Sequence, residues 1–184
     1  MLKLTKFIGK GATRICFEHP KFPDKCVKIV VRFKDFKLLE RELAAYHAVQ
    51  NDLREYIIEY DNHLVETNLG YGLVCKTLRD DGGEYSKSLN YYLNNHCLTV
   101  DLRRQLYNFI YNLVEHDLFF YDFNLQNFVV QIQDGKHRLY YTDLKSFNNY
   151  KSWTFLKFEK IFTPLARYLM CRRIKRLLQI VEQI

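Results

Sequence analysis

Asp122 and Asn127 stand five positions apart in the run Tyr121-Asp122-Phe123-Asn124-Leu125-Gln126-Asn127, and a third oxygen donor, Asp143, follows Thr142 further along. A carboxylate and a carboxamide on one loop, with a second carboxylate after a later strand, provide what phosphoryl transfer asks of a protein: positioning, and cancellation of phosphate charge. Asp122 would orient or deprotonate the acceptor. Asn127 and Asp143 would hold Mg2+ on the phosphates of ATP, since magnesium prefers hard oxygen ligands to thiols or imidazoles. Taken alone the pattern is weak, because two caps flanking a hairpin would look the same.

The elements needed to bring these groups together are readable. Phe128 to Ile132 and Arg138 to Thr142 read as strands joined by a turn at Gln133-Asp134-Gly135-Lys136, which returns Asp143 beside Asn127. Upstream, Gly9 and Gly11 lie one residue apart between strand-like runs, where a backbone without Cβ atoms can approach a phosphate. The third glycine of a G-x-G-x-x-G loop is replaced by Arg14. The pattern then continues as a strand, Arg14 to Glu18, and not as the helix that a dehydrogenase nucleotide fold requires. Lys28, in the apolar run Cys26-Val27-Lys28-Ile29-Val30, is an ammonium in a buried strand and calls for an anion. The expected partner is Glu42, at the border of an apolar stripe of Phe36, Leu39, Leu43 and Tyr46 on a helix spanning Asp35 to Gln50, with Glu40 facing water. Glycine-rich hairpin, strand lysine, helix glutamate, D-x-x-x-x-N and Asp follow one another in the order protein kinases use.

The chain resembles the PhoP regulatory network protein family of the YrbL type, a small bacterial kinase-like group. The resemblance rests on Gly9-Lys10-Gly11, Cys16-Phe17-Glu18-His19-Pro20, Cys26-Val27-Lys28-Ile29-Val30, Arg41-Glu42-Leu43, Gly70-Tyr71-Gly72, Asp81-Gly82, Leu125-Gln126-Asn127 and Asp143. It implies an α+β, minimal protein-kinase-like two-lobe fold with a β-rich N-lobe, one helix there and a truncated helical C-lobe. By analogy it implies ATP-dependent phosphotransfer.

Departures from the larger kinase pattern are specific. Phe120-Tyr121 replaces the His-Arg before the loop acid, Asn124 replaces a lysine, and Asp143-Leu144-Lys145 replaces Asp-Phe-Gly. Lys145 reads first as a solvated loop lysine and second as a phosphate partner. The 41 residues from Leu144 to Ile184 are too few for a peptide-substrate platform, so the acceptor could be a protein, a small molecule or a lipid-linked group.

One domain is expected: residues 1–78 as N-lobe, 79–83 as a polar Gly-rich linker and 84–184 as C-lobe. Lys76-Thr77-Leu78 would offer backbone groups at Lys76 and Leu78 to adenine. In the C-lobe, a short helix spans about Ser88 to Asn95. A longer one, capped by Thr99 or Asp101, runs to Glu115 with Leu106, Phe109, Ile110 and Leu113 inward. The fourteen Tyr and fourteen Phe follow buried periodicity, which indicates an aromatic core and not a stacking surface. Five widely spaced cysteines without a C-x-x-C read as reduced core thiols. The opening residues lack a signal-peptide pattern and no apolar run reaches membrane-spanning length, so a cytoplasmic protein is expected.

Charge concentrates at the end. Residues 151–184 hold eight Lys and Arg against two Glu, so they carry +6 of the net +7. Thr163-Pro164 reads as the start of a terminal helix with Leu165, Leu169, Leu177, Leu178 and Val181 inward and Arg167, Arg172, Arg173, Lys175 and Arg176 outward. That face suits solvent or an anionic surface; nucleic acid is disfavoured, since no binding module accompanies the charge. The readings left by the sequence are an ATP/Mg2+ phosphotransferase, a pseudokinase that binds nucleotide, and an interaction module docking an anionic partner. Transfer of AMP instead of the terminal phosphate stays open.

Overall fold

The computed structural model describes residues 1–11, 13–30, 36–147 and 159–182. Strands β1 (Phe7–Lys10), β2 (Arg14–Glu18), β3 (Lys25–Val30), β4 (Tyr60–Thr67) and β5 (Gly70–Lys76) form an antiparallel sheet in the order β1-β2-β3-β5-β4. Helix α1 (Lys37–Val49) lies between β3 and β4 in the chain. In β3 every residue from Cys26 to Val30 is buried, because both faces of this central strand are covered. Side chains alternate across a strand, so the two faces have separate fates. Val27 and Ile29 join Val74 and Leu4 in a small outer cluster, while Cys26 and Val30 join Leu39, Leu73 and Cys75 in the main core. Lys28 shares the inward parity of Cys26 and Val30.

The buried stripe of α1 is Leu39, Glu42, Ala45 and Val49. This corrects the expected stripe: Phe36 is exposed and Leu43 only half-buried. Glu42 lies at the centre of the buried face, since it has cations to meet there, and Glu40 is exposed as anticipated. Asp35, the expected first residue of the helix, lies outside the described residues.

Beyond β5 the chain forms β6 (Lys87–Ser88), α2 (Leu89–Asn94), α3 (Val100–Glu115), the hairpin β7 (Phe128–Gln133) and β8 (Lys136–Tyr141), and α4 (Glu159–Glu182). Thr99 caps α3, its side chain accepting from Leu102 N, and Leu106, Phe109, Ile110 and Leu113 are buried as the spacing requires. The β7–β8 turn has positive φ at both Asp134 (51°) and Gly135 (69°), the twist that closes a two-residue hairpin. Residues 79–83 form a pinned loop. Asp80 Oδ1 accepts from Ile132 N, and the two oxygens of Asp81 accept from Asp134 N and Gly135 N at 3.0 and 3.1 Å.

Helix α4 begins earlier than expected, so Pro164 stands inside it. At the sixth helical residue it costs one ladder hydrogen bond and leaves the rest of the helix intact. The packed stripe is Ala166, Met170, Ile174, Leu177 and Val181, and Leu165 is 49% exposed. Leu177 and Val181 are buried as expected, whereas in the first half of the helix the expected Leu165 and Leu169 lie one residue before the packed Ala166 and Met170. Arg167, Arg172, Arg173, Lys175 and Arg176 are exposed. Of the cysteines, Cys26 and Cys75 are buried neighbours with sulfurs 3.4 Å apart, whereas Cys97 and Cys171 are exposed, against the expectation of core thiols throughout. Among the described residues no helix is long and apolar enough to cross a membrane.

Gly72 lies where β5 passes under the outer cluster, and a Cβ there would come within 2.5 Å of Val27 Cγ1 and 2.9 Å of Ile29 Cδ1. Gly72→Ala should lower the unfolding free energy by about 1–3 kcal/mol through overpacking. A denaturant midpoint equal to that of the unsubstituted chain would contradict this packing.

Candidate active site

The site begins with one buried carboxylate. Glu42 is 0% exposed, and burying an ion costs several kcal/mol unless its oxygens are matched. Lys28 Nζ lies 3.0 Å from Glu42 Oε1, and Tyr60 Oη donates to the same oxygen at 2.8 Å. The ammonium also donates to Tyr60 Oη at 2.8 Å and to the Thr142 carbonyl at 3.0 Å, so its three protons are all placed. Burial alone would lower the Lys28 pKa. The Glu42 carboxylate outweighs it, with Tyr60 and Cys75 adding to the effect, and holds the group well above its ordinary 10.5. The stabilisation from a raised pKa is fully present below the ordinary value and is lost only as pH rises through the folded one, so the Lys28 ammonium stays charged across neutral pH. Burial, and next Glu42, push the Tyr60 phenol well up, which keeps it a hydroxyl donor.

The other oxygen of Glu42 meets Arg14, the residue in the third-glycine position. Arg14 Nη1 forms an ion pair with Glu42 Oε2, out of line for a hydrogen bond, and Nη2 lies 3.2 Å from Asp143 Oδ1. Burial acts to lower the Arg14 pKa, but Glu42 and then Asp143 raise it overall. Lys145 Nζ reaches Asp143 Oδ2 at 3.0 Å and Thr13 Oγ1 at 3.3 Å. The β1–β2 loop is thus latched onto the segment after β8. Sequence reasoning noted Arg14 only as a departure, although its inward parity with Cys16, which pairs with Lys28, was available as a signal. Tyr60 was missed; nothing local marks it.

Asn127 and Asp143 are brought together through their backbones. The Asn127 carbonyl accepts from Thr142 N at 2.8 Å and from Thr142 Oγ1 at 3.1 Å, one residue before Asp143. The Asn127 side chain has a buried Nδ2 without a partner among the described residues. Asp122 is half-buried, and its Oδ1 accepts from Asn124 N at 3.2 Å, shaping the loop. Its carbonyl takes the hydroxyl of Tyr141 at 2.6 Å. Tyr141, 1% exposed, packs within 5.4 Å of the ring centres of Phe109, Phe120 and Phe128. From outside, Arg173 of α4 donates to the Tyr121 carbonyl at 2.9 Å and lies over the Tyr121 ring. These two braces on the loop had no sequence signal, because both partners come from far along the chain.

Gly9 and Gly11 flank the β1–β2 hairpin tip, where Gly11 N donates to the Arg14 carbonyl at 2.8 Å. A Cβ at Gly9 would meet nothing within 4 Å and one at Gly11 only Arg14 O at 3.8 Å, so space is open above both. At the junction after β5, Lys76 N donates to Glu59 O and Thr77 N to Asp24 O, and Leu78 O accepts from Ser86 N. Among the described residues the Leu78 N–H has no hydrogen-bond partner. The Lys76 side chain lines a polar cavity of about 580 Å3 with Asp24, Arg54, Glu59 and Asp61.

The family model described as PhoP regulatory network protein YrbL matches residues 1–182. The chain belongs to that family. Solved kinase domains share the fold: one crystal structure of a kinase domain aligns with a TM-score of 0.57 at 15% identity, covering 82% of this chain and 52% of its own. The kinase domain of Mycobacterium tuberculosis PknI aligns with a TM-score of 0.51 at 15% identity, covering 78% of this chain and 59% of its own. The chain therefore has a protein-kinase-like α+β fold and spans a little over half the length of those domains. Among curated proteins no match is found.

Because Glu42 has two cationic partners, replacing it strands more buried charge than replacing either one. Glu42→Gln should destabilise the chain by about 3–5 kcal/mol, and Lys28→Met by less. Urea unfolding of both variants reads the order, and the reverse order would disprove the central role of Glu42.

Proposed function

We propose that this member of the YrbL family is an ATP- and Mg2+-dependent phosphotransferase. The observation that carries the reading is the meeting of the buried Lys28–Glu42 pair with the carbonyl of Thr142, a residue next to Asp143 whose N–H and hydroxyl donate to the Asn127 carbonyl. In this reading the open face over Gly9 and Gly11 receives the phosphates. The Leu78 N–H and the Lys76 carbonyl meet the adenine edge, and Lys28 sets the α- and β-phosphates.

The donor set fits magnesium: the carboxylate of Asp143 and the Oδ1 of the Asn127 carboxamide are hard oxygen ligands, and the Asn127 Nδ2 is buried without a partner among the described residues. When bound, the ion would neutralise charge on the phosphate oxygens. Asp122 accepts the proton of the acceptor hydroxyl as that oxygen bonds to the γ-phosphorus and the bond to the β,γ-bridging oxygen breaks, leaving ADP. Tyr141 and Arg173 position Asp122 by holding the loop backbone on either side of it.

The acceptor is unidentified and could be protein, small molecule or lipid-linked. The exposed Arg172, Lys175 and Arg176, near the residue that braces the loop, favour an anionic one. A second reading, nucleotide binding without transfer, is favoured by one observation: both oxygens of Asp143 already lie on cations. An interaction module docking an anionic partner through α4 is the third.

ATP with Mg2+ should raise the melting temperature of the chain, and absence of any shift would leave only the interaction module. Asp122→Ala should cut phosphate transfer from ATP by about 10²–10⁴-fold while leaving the thermal shift in place. Transfer undiminished in that variant would remove Asp122 from the reaction, and no transfer by the unsubstituted chain onto any acceptor in cell extract would favour the second reading.

A further inference from the structure

Arg14 replaces the glycine that phosphate loops place at this position, yet it faces the cleft and is only 8% exposed. Its Nε is buried with no partner among the described residues, and its contact to Glu42 is out of line, so a fork of five donors is only partly used there. The ion-paired cluster around it contains three cations, Arg14, Lys28 and Lys145, and two carboxylates, Glu42 and Asp143. One positive charge is left over, with Arg14 and Lys28 buried and Lys145 at the partly exposed edge of the cluster, and such a surplus draws an anion. Lys28 can reach a phosphate only by giving up one of its three partners, Glu42, Tyr60 or Thr142. An arriving phosphate therefore meets Arg14 first, next to the hairpin tip closed by Gly11 N and Arg14 O.

We propose that Arg14 is a polyphosphate-binding residue that occupies Asp143 until nucleotide arrives, so that nucleotide binds before the metal. The inference rests on the nucleotide reading given above. A guanidinium matches phosphate bidentately, and each oxygen it gains weakens its hold on Asp143 Oδ1, 3.2 Å away. Only then does that oxygen become available to a divalent cation. The chain should accordingly bind a triphosphate without metal, and should bind the metal poorly without a triphosphate. A kinase-like site with glycine at this position has neither property built in, since no side chain there competes for the acid.

Calorimetry on the full chain tests both halves, using a non-hydrolysable ATP analogue in EDTA and, separately, Mn2+ without nucleotide. The unsubstituted chain should bind the analogue in EDTA. Arg14→Gly and Arg14→Gln should lose roughly 10–100-fold in that affinity, the scale of one lost charge-assisted contact, with Arg14→Lys between. Both neutral variants should gain at least about tenfold in Mn2+ affinity, since Asp143 loses a competitor. Adenosine, which lacks phosphates, should bind all four proteins alike; this shows that the variants keep the cleft. The inference is overturned if Arg14→Gln binds the analogue in EDTA as tightly as the unsubstituted chain. It is equally overturned if Mn2+ binds the unsubstituted chain alone as tightly as it binds the variants. If the unsubstituted chain binds neither adenosine nor the analogue, with or without metal, the nucleotide reading itself falls and takes this inference with it.

Discussion

A carboxylate with no solvent must be surrounded by positive charge and hydrogen-bond donors, and Glu42 imposes that constraint on the whole molecule. Meeting it draws in a lysine from β3, an arginine from the start of β2 and a tyrosine from the start of β4. The lysine and tyrosine in turn bind the Thr142 carbonyl, and the arginine binds Asp143, so the demand is passed from the sheet to the second lobe. Charge satisfaction and lobe assembly are therefore one event. A core of Leu, Val and Phe alone could have packed the same helix, but it would not have tied Thr142 and Asp143 to the sheet.

The second lobe solves a different problem, that of holding a polar loop still. Tyr141 is sunk among Phe109, Phe120 and Phe128, and its hydroxyl binds both the Asp122 carbonyl and Ser146. The apolar rings fix the tyrosine, and the tyrosine fixes the loop. Helix α4 completes the arrangement from the surface, with Arg167 paired to Asp117 and Arg173 on Tyr121. The same helix thus brings its basic face close to the acid assigned to the acceptor.

Features set by neighbouring residues were legible in the sequence. Asp134-Gly135 specifies its own turn, Thr99 its own cap, and the apolar run around Lys28 its own burial. Features set by distant partners were not. Hydrophobic periodicity treats glutamate as outward, so the stripe of α1 was drawn through Phe36 and Leu43, whereas Glu42 lies at its centre with partners 14 and 28 positions away. Pro164 was taken to start a helix because proline favours first turns, yet α4 accommodates it further in. The candidate residues were individually visible, but the saturation of Lys28 and of Asp143 by protein partners needed three dimensions.

The junction between the lobes is held by more than chain continuity. Asp80 and Asp81 are fastened to the end of β7 and to its turn, so they belong mechanically to the strand pair that bears Asn127 at its other end. Any swivel of the sheet relative to that pair must be taken up by Thr77, Leu78 and Arg79, and Arg79 is itself clasped to Glu18 of β2. The pivot is itself bonded on both sides, Thr77 N to the Asp24 carbonyl in the sheet and the Arg79 carbonyl to Gln131 of β7. Small torsional changes at those three residues would then set how far the glycine hairpin stands from Asp143.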